Sequence, residues 1–374
     1  MSSPLWAVLP GNIDDPAAPS GGNRFDRIVL NLISGDAGAE PGDIPTRPVY
    51  ETAVDGAWPA PDEPARAALA QALSGIPDNS DVLLDGLVAC GVPDILKAHR
   101  QRLNLIILVH LPLSDETGLT PAAAAGLRAR ERAALHVATT VIATSEAAAA
   151  RIATMHDLPG AGGGSPAARG GSTVAVVLPG VSPAELAAPA ESGRRLLCVA
   201  AVTPRKGQDL LVTALEQELA ELDWTCTFAG ALVSPVPHAD ERIRFVGPLQ
   251  GSALDRAYSE ADLFVLPSRA ETYGMVVTEA LAHGLPVVAA EVGGVPEALG
   301  VAPDGCRPGV LVPPGDPRAL AGALRAWLTE PGTRRRLRRA ARGRRETLPT
   351  WHETARRLSE VLDARRESPE EGTA

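Results

Sequence analysis

Residues 262–284 read DLFVLPSRAETYGMVVTEALAHG, and the pattern within this stretch decides the fold. The apolar run at 262–266 predicts a short strand that is buried on both faces. The turn PSRAETYG follows it, and VVTEALAHG then predicts a helix that Gly284 ends as a C-cap. A strand that passes through a short turn into a helix is the repeating unit of a parallel α/β sheet.

The same alternation of short β-rich runs and longer runs rich in alanine and leucine continues through both halves of the chain. It predicts two α/β domains with parallel sheets, and the cleft between two such domains is the default position of an active site. Expected strands are residues 5–9, 47–54, 82–84, 103–109, 137–143 and 174–177, then 196–202, 225–229, 243–246, 263–266, 287–289 and 310–312. Expected helices include residues 63–73 and 121–136.

The run PGVSPAELAAPAESG at 179–193 has no helical or strand period and is rich in Pro, Ser and Ala, so we place an interdomain linker there. The expected division is a first domain at 1–181, a linker at 182–194, a second domain at 195–349 and a final segment at 350–374. The glycine-rich run GAGGGSPAARGG at 160–171 predicts a flexible surface loop.

Length and composition set the class of protein. A chain of 374 residues, with 45% apolar and 21% charged residues, predicts two globular domains. A net charge of −10 disfavours nucleic acid as a partner. No run approaches the ~20 apolar residues of a membrane span and no signal peptide is evident, so we expect a cytoplasmic protein. The four cysteines are scattered without a C-x-x-C pair, and we expect them to be reduced.

The turn that follows the strand at 262–266 predicts an anion site. Backbone NH groups at the start of a helix have no intrahelical partner, and the helix dipole adds positive charge there. The NH groups concerned belong to Thr272, Tyr273, Gly274 and Met275. Glu271 and Glu279 flank the site, and their carboxylates can accept hydrogen bonds from sugar hydroxyls. Taken singly, a helix-terminal charge and a solvated helix face remain the alternatives for these two residues.

A second strand-to-helix turn carries positive charge. Strand 196–202 runs into TPRKGQDLL, which places Arg205 and Lys206 beside Gly207. Basic residues at a helix start oppose the dipole, which favours a functional reason such as binding a diphosphate. A solvated surface pair is the alternative.

VTPRKGQDLL, RFVGPLQGSALDRAYSEADLFVLPSRAETYGMVVTEALAHGLPVVAAEVGGVPEAL and GVLVPPGDPRALAGAL together resemble the nucleotide-sugar-binding domain of family-4 retaining glycosyltransferases with the GT-B fold. The resemblance covers nearly all of 196–328. It implies two Rossmann-like domains facing across a cleft, with the second domain binding the donor, the first binding the acceptor, and a C-terminal helix crossing back to the first.

The resemblance also implies residue roles. Glu279 would bind the donor ribose and Glu271 the donor sugar, while Arg205 and Lys206 would bind the diphosphate. The loop at 246–249, with Gly247 and Leu249, would lie near the base. Family members commonly have Gly-Arg where this chain has Ala200 and Ala201, so we expect Arg205 to compensate.

The first half resembles the family less closely. PSGGNRFDRIVLNLI at 19–33 resembles its glycine-rich loop, in which Gly21 and Gly22 would let backbone approach the donor phosphates. LIILVHLPLSDETGL at 105–119 ends its strand at His110, where similar enzymes place a histidine that reaches toward donor sugar and phosphate. A core histidine is the alternative. Asp115 and Glu116 are candidate acceptor contacts.

The implied reaction moves a sugar from a UDP- or GDP-sugar to a hydroxyl or amine of a small soluble acceptor with retained configuration. No Asp-x-Asp occurs, so we expect no metal and no other cofactor. A noncatalytic nucleotide-sugar sensor, an epimerase and a phosphorylase are the alternatives. A nicotinamide dehydrogenase fits poorly, because no G-x-G-x-x-G follows either leading strand.

The segment TRRRLRRAARGRRETLP at 333–349 holds eight arginines. It predicts a solvated helix with Leu337, Ala340 and Ala341 facing the protein. Attraction to anionic lipid headgroups is the alternative. WHETARRLSEVLDA at 351–364 predicts the final helix.

Overall fold

The computed structural model describes residues 3–15, 20–35, 44–159 and 172–364. The chain divides into two units, Met1–Gly180 together with Thr350–Ala374, and Val181–Pro349. Each unit contains one six-stranded sheet, and every pairing between its named strands is parallel. The predicted loop at 160–171 lies outside the described residues.

The first unit is built on a sheet whose strands are β1 Leu5–Pro10, β2 Val49–Val54, β3 Ser80–Asp85, β4 Leu103–Val109, β5 Thr140–Ala143 and β6 Thr173–Val176. Their order across the sheet is β2-β1-β3-β4-β5-β6. Its helices are α1 Gly21–Ser34, α2 Glu63–Gly75, α3 Gly86–Ala89, α4 Pro93–His99, α5 Pro121–Leu135 and α6 Glu146–His156. A 3₁₀ turn, Leu113–Asp115, follows β4.

The second unit is built on β7 Arg195–Val199, β8 Thr225–Ala229, β9 Ile243–Gly247, β10 Leu263–Leu266, β11 Val287–Ala290 and β12 Gly309–Val312. Their order is β12-β11-β10-β7-β8-β9. Its helices are α7 Gln208–Thr213, α8 Gly251–Glu260, α9 Met275–Ala282, α10 Val295–Leu299, α11 Pro317–Thr329 and α12 Pro331–Arg345. A 3₁₀ turn, Pro204–Lys206, precedes α7, and a π-helical turn, Ala214–Glu218, extends it.

All twelve predicted strands are confirmed, but two of them are shorter than predicted. β5 begins only at Thr140, because the residues before it close the turn after α5. β7 ends at Val199, and beyond it the pairing continues only as a single bridge between Val202 and Leu232. The backbone of Ala200 lies against Gly230 at this interruption, where an added Cβ would meet the Ala200 oxygen at 1.9 Å.

Buried apolar residues form separate cores around each sheet. In the first unit, the central strands contribute nearly every residue to the core, as in Leu105, Ile107 and Val109 of β4. In the second, the two faces of the sheet are covered by two clusters, one around Trp224 and Trp327 and one around α9 and α10. Strands buried on both faces explain why their sequences read as continuous apolar runs.

The last helix, α13 Trp351–Asp363, belongs to the first unit and packs against α1. A capping box between Thr350 and Glu353 starts it. Near its end, the Asp363 carboxylate accepts a hydrogen bond of 2.8 Å from the buried Arg47 guanidinium. The predicted return of the C-terminal helix to the first domain is therefore confirmed.

The arginine-rich segment forms α12, and Leu337, Ala340 and Ala341 are buried as predicted. Several of its arginines, however, donate hydrogen bonds to backbone carbonyls of the second unit rather than pointing into solvent. Arg345 donates to the Ala184 oxygen and Arg338 to the Ala190 oxygen. These bonds hold residues 182–194, the predicted linker, on the second unit.

The cysteines match their prediction as free thiols: Cys90, Cys198 and Cys226 are buried and Cys306 is exposed. Among the helices in the described ranges, none combines the length and the apolar composition that crossing a bilayer requires.

Candidate active site

The strand order of the second unit identifies a crevice. The chain starts at β7, adds β8 and β9 on one side, and then returns to add β10 to β12 on the other. In open α/β sheets, ligands bind outside the carboxyl ends of the strands at such a reversal. The crevice here lies between the ends of β7 and β10, and these are the two ends that carry the predicted diphosphate and sugar residues.

Lys206 and Glu271 meet at this reversal point. The Lys206 Nζ lies 2.6 Å from Glu271 Oε1, and the Ser268 hydroxyl donates to the same oxygen at 2.8 Å. The side chains of Lys206 and Glu271 are only 17% and 7% exposed, so both charges are largely removed from water. The two predicted residues therefore come together from turns 65 positions apart in the sequence.

The loop that carries Glu271 is held by close backbone packing. Gly293 follows β11 with φ of 48°, in the left-handed region. A Cβ at this position would lie 1.7 Å from the Glu271 carbonyl oxygen, so only glycine fits without moving the loop. The third strand of this half-sheet thus sets the position of the Glu271 turn.

Helix α9 begins at the predicted anion site. Gly274 occupies its N-cap in the left-handed conformation, and no side chain caps the helix. Met275 is its first residue and Thr272 is half-buried. Burial raises the pKa of Tyr273 to about 12, so its phenol stays protonated near neutral pH. The arrangement offers backbone NH groups and a protonated phenol to an anion.

Arg205 stands in the 3₁₀ turn before α7. Its Nη1 lies 3.4 Å from the Ala270 carbonyl oxygen, so it contacts the residue directly before Glu271. Arg205 and Lys206 therefore both lean on the turn that follows β10. The structure brings the predicted cations and one predicted carboxylate together in a single cluster.

Glu279 lies half-buried on α9 and accepts a hydrogen bond of 2.9 Å from the Tyr258 hydroxyl at Oε2. Gly247 ends β9 with φ of 77°, and Leu249 is half-buried in the connection from β9 to α8. This connection leaves the sheet at a strand end, as the predicted base-binding loop requires.

The first unit has a different charged cluster at its own reversal point. The chain starts at β1, adds β2 on one side and continues through β3 and β4 on the other. Asp85 ends β3 and His110 directly follows β4. Asp26, on the buried face of α1, accepts a hydrogen bond of 2.8 Å from His110 Nε2. Asp26 and Asp85 are 3% and 5% exposed.

Protons are held tightly in this cluster. Burial alone would lower the pKa of His110, but the charges of Asp26 and Asp85 and the hydrogen bond to Asp26 outweigh it, so its pKa is raised. Burial and the neighbouring Asp26 charge raise the pKa of Asp85 to about 7. Asp26 Oδ2 is buried, and a protonated Asp85 is able to donate to it. His110 is therefore paired with a carboxylate, unlike a simple core histidine.

Asp26, Asp85 and His110 are also, within the described ranges, the group of side chains whose positions suit a metal ion, with ligand atoms within 4.8 Å of one another. Their carboxylates already accept hydrogen bonds, Asp26 from His110 and Asp85 from the Leu87 backbone NH at 2.6 Å. We therefore interpret the cluster as proton-sharing.

Gly21 and Gly22 are the first residues of α1. A Cβ on Gly22 would lie 2.9 Å from His110 Cδ2, so the helix start packs directly against the imidazole. Among the candidate acceptor contacts, Asp115 binds Arg151 of α6, with Nε and Oδ2 3.0 Å apart. Glu116 accepts a hydrogen bond from the backbone NH of Thr117.

Four residues of these clusters were missed from the sequence: Asp26, Asp85, Ser268 and Tyr258. Asp85 carried a usable signal, because it ends the run DVLLD as His110 ends LIILV. Asp26 is an acidic residue within the apolar stripe of α1, which is a weaker signal. Ser268 and Tyr258 had none, since their partners are recognisable only in three dimensions.

Comparison with known proteins places this chain in a class. Sucrose-phosphate synthase from Thermosynechococcus elongatus superposes with a TM-score of 0.72 at 20% identity, over 98% of this chain and 100% of that one. HepE from Anabaena, in complex with UDP-glucose, superposes with a TM-score of 0.64 at 16% identity, over 97% and 99%. The chain has the GT-B fold, as predicted.

Sequence comparison then gives the family. Residues 193–330 match the family model of glycosyl transferases group 1. The D-inositol 3-phosphate glycosyltransferase of Kineococcus radiotolerans is 34% identical over 222 residues, covering 50% of this chain and 51% of that protein. The chain spans about half the length, or less, of the curated relatives it matches. Residues 193–330 are a group 1 glycosyl transferase domain, which confirms the predicted family resemblance.

Proposed function

We propose that this protein is a retaining glycosyltransferase that moves a sugar from a UDP- or GDP-sugar to a hydroxyl or amine of a small soluble acceptor. One observation carries the proposal. Lys206 and Glu271, the cation and the carboxylate that such a donor needs, meet at 2.6 Å at the strand reversal of a group 1 glycosyl transferase domain.

The second unit offers a partner to each part of the donor. The N-terminus of α9, at Thr272 to Met275, together with Arg205 and Lys206, would bind the diphosphate. Glu271 would accept hydrogen bonds from the sugar and Glu279 from the ribose. Gly247 and Leu249 would lie near the base. The complex of HepE with UDP-glucose supports a donor of this class.

The proposed reaction needs no protein nucleophile. The bond from the anomeric carbon to the diphosphate breaks, the acceptor oxygen or nitrogen bonds to the same face of that carbon, and the acceptor proton passes to the departing diphosphate. Negative charge grows on the diphosphate as the bond breaks. Lys206, Arg205 and the α9 N-terminus would stabilise that charge, in the way a divalent metal does in other transferases. We therefore propose metal-independent transfer.

His110, Gly21 and Gly22 are assigned to the donor sugar and phosphate by family resemblance. The hydrogen bond from His110 to Asp26 supports a defined role for this histidine, because a buried carboxylate fixes both its orientation and its charge. Asp115 and Glu116 are proposed acceptor contacts.

A screen of UDP- and GDP-sugars for thermal stabilisation should identify the donor. The stabilising donor would then be incubated with small hydroxyl and amine acceptors in the presence of EDTA, with NMR of the anomeric proton. We expect acceptor-dependent release of the nucleotide and a product with the donor's configuration. Tight donor binding without transfer or hydrolysis would identify a sensor instead, and an altered free sugar nucleotide or a sugar phosphate would identify an epimerase or a phosphorylase.

The donor site itself is tested by Glu279→Ala, with Glu260→Ala as the matched control. Glu260 is an exposed carboxylate at the end of α8 in the same unit. Loss of two charge-assisted hydrogen bonds to ribose should weaken donor binding by about 1.5 to 3 kcal/mol, and the control should not change it. Equal affinities for the two variants would refute the ribose role.

A further inference from the structure

Tyr258 is a buried residue that the family resemblance did not assign. It lies on α8, 21 positions before Glu279, and only 1% of it is exposed. A buried phenol normally has a hydrogen-bond partner, and this one donates to Glu279 Oε2 at 2.9 Å. The carboxylate assigned to the ribose is therefore already bound on one of its oxygens by a residue of another helix.

The Tyr258 ring has little freedom to move. The His283 imidazole stacks on it with ring centres 5.0 Å apart and an interplanar angle of 16°. Phe264 of β10 packs beside it with ring centres 6.0 Å apart. His283 in turn donates from Nδ1 to the Glu185 carbonyl oxygen at 3.0 Å. Helix, strand and the 182–194 segment thus fix the phenol that holds Glu279.

A glutamate on a helix surface loses several rotamers when it binds a ligand, and this ordering reduces affinity. A hydrogen bond from a rigid phenol removes part of that cost before the ligand arrives. The bond to Oε2 also fixes the plane of the carboxylate and therefore the direction in which it accepts further hydrogen bonds.

We propose that Tyr258 is a positioning residue, which orients the Glu279 carboxylate so that it can accept hydrogen bonds from the ribose hydroxyls of the donor. The inference rests on the proposed function, because it deepens the role given to Glu279. Tyr258 itself does not contact the donor.

Tyr258→Phe tests the proposal, since it removes the hydroxyl and keeps the ring that packs on His283 and Phe264. UDP and GDP would be titrated calorimetrically, each beside its 2′,3′-dideoxy counterpart. We expect Tyr258→Phe to raise the Kd of the ribose nucleotide about three- to tenfold and to leave that of the dideoxy nucleotide unchanged. Tyr50→Phe, at a half-exposed tyrosine of β2, is the matched control and should change neither.

Equal losses for ribose and dideoxy nucleotides would show a merely structural role and overturn the proposal, as would unchanged or tighter binding of the ribose form. In a Glu279→Ala background, Tyr258→Phe should have no further effect, and an undiminished effect would also overturn it. If Glu279→Ala weakens the ribose nucleotide and Tyr258→Phe does not, only this inference fails. If neither UDP nor GDP binds, or Glu279→Ala changes nothing, the proposed function fails with it.

Discussion

The two units place charged side chains at equivalent points of their sheets but choose opposite charges. In the first unit, two buried carboxylates surround one imidazole: Asp26, Asp85 and His110. In the second, Lys206 pairs with Glu271 beside the uncapped N-terminus of α9. One cluster is rich in negative charge and protons, and the other offers positive charge to an anion.

The difference shows that topology fixes where a site forms, while side chains fix its chemistry. The sheets do not share a strand order: counted within its own unit, the first runs 2-1-3-4-5-6 and the second 3-2-1-4-5-6. Both orders nevertheless contain one reversal, and each cluster lies at it. Anion binding is thus expected of the second unit, and control of a proton's position of the first.

Lys206→Ala should have the largest effect, because it removes the paired cation of the second unit. Charge on the diphosphate grows as the glycosidic bond breaks, so turnover should fall about 100- to 1000-fold while donor affinity falls far less. Single-turnover kinetics and donor titration would measure the two separately.

The chain supplies a matched control, because its only other lysine is Lys97, exposed on α4 of the first unit. Lys97→Ala should change neither quantity. Equal losses of turnover and affinity in Lys206→Ala would mean that Lys206 only binds the donor, and the two clusters would then not differ in the way described.

His110→Ala should abolish most transfer, about 100-fold, while the fold persists. Asp26→Asn is the finer change: it keeps the shape but removes the charge that helps raise the pKa of His110. With that charge gone, the His110 pKa falls, and any pH limb of turnover that reports its protonation should move to lower pH.

Glu131→Gln is the matched control for Asp26→Asn. Glu131 pairs with His156 at 3.0 Å in the core of the same unit, between α5 and α6 and not among the strand-end residues of the cluster. It should cost stability but leave the pH profile of turnover in place. A His110→Ala chain that fails to fold, together with identical profiles for the two carboxylate variants, would favour a core histidine.

Asp85→Asn should stabilise the first unit at alkaline pH. A pKa raised from 3.8 to about 7 means that the folded state binds the proton more tightly than the unfolded chain does. Its contribution is full below about pH 4 and is lost as the pH rises through about 7. Asparagine cannot lose that proton and can still accept from the Leu87 NH, so at pH 8 we expect about 1 to 3 kcal/mol greater unfolding free energy.

Calorimetric unfolding at pH 5.5 and pH 8 would measure this effect. His110 changes stability in the same direction, because its raised pKa also makes its contribution disappear as the pH rises. Asp85→Asn should therefore reduce the pH dependence without removing it. Asp94→Asn, at an exposed carboxylate of α4, should leave the pH dependence as it is. A variant less stable than the parent at pH 8 would contradict the raised Asp85 pKa.

The sequence predicted the second unit's site better than the first's, for a physical reason. Glu271, Glu279 and Lys206 stand in turns and helices whose local pattern announces their positions. The Lys206–Glu271 bond itself was not predictable, since its turns are joined only by the strand order. In the first unit, Asp26 and His110 are 84 positions apart, and only the buried face of α1 brings them together. Strand runs are local, so all twelve strands were predicted.

The smallest effects are expected at α12, where the second unit keeps its cations close to the surface. Arg338 packs over the Trp327 ring at 5.3 Å and donates to the Ala190 oxygen, so Arg338→Ala should lower the unfolding free energy by about 1 kcal/mol. Arg335→Ala, at an exposed position on the same helix, should change it by less than about 0.5 kcal/mol. Urea unfolding would measure both. Because the inward arginines already bind carbonyls, lipid attraction has to come from the exposed ones, and we expect weak cosedimentation with anionic vesicles. Strong, salt-sensitive cosedimentation that disappears when Arg335, Arg336 and Arg342 are replaced by Gln would show that this helix binds headgroups.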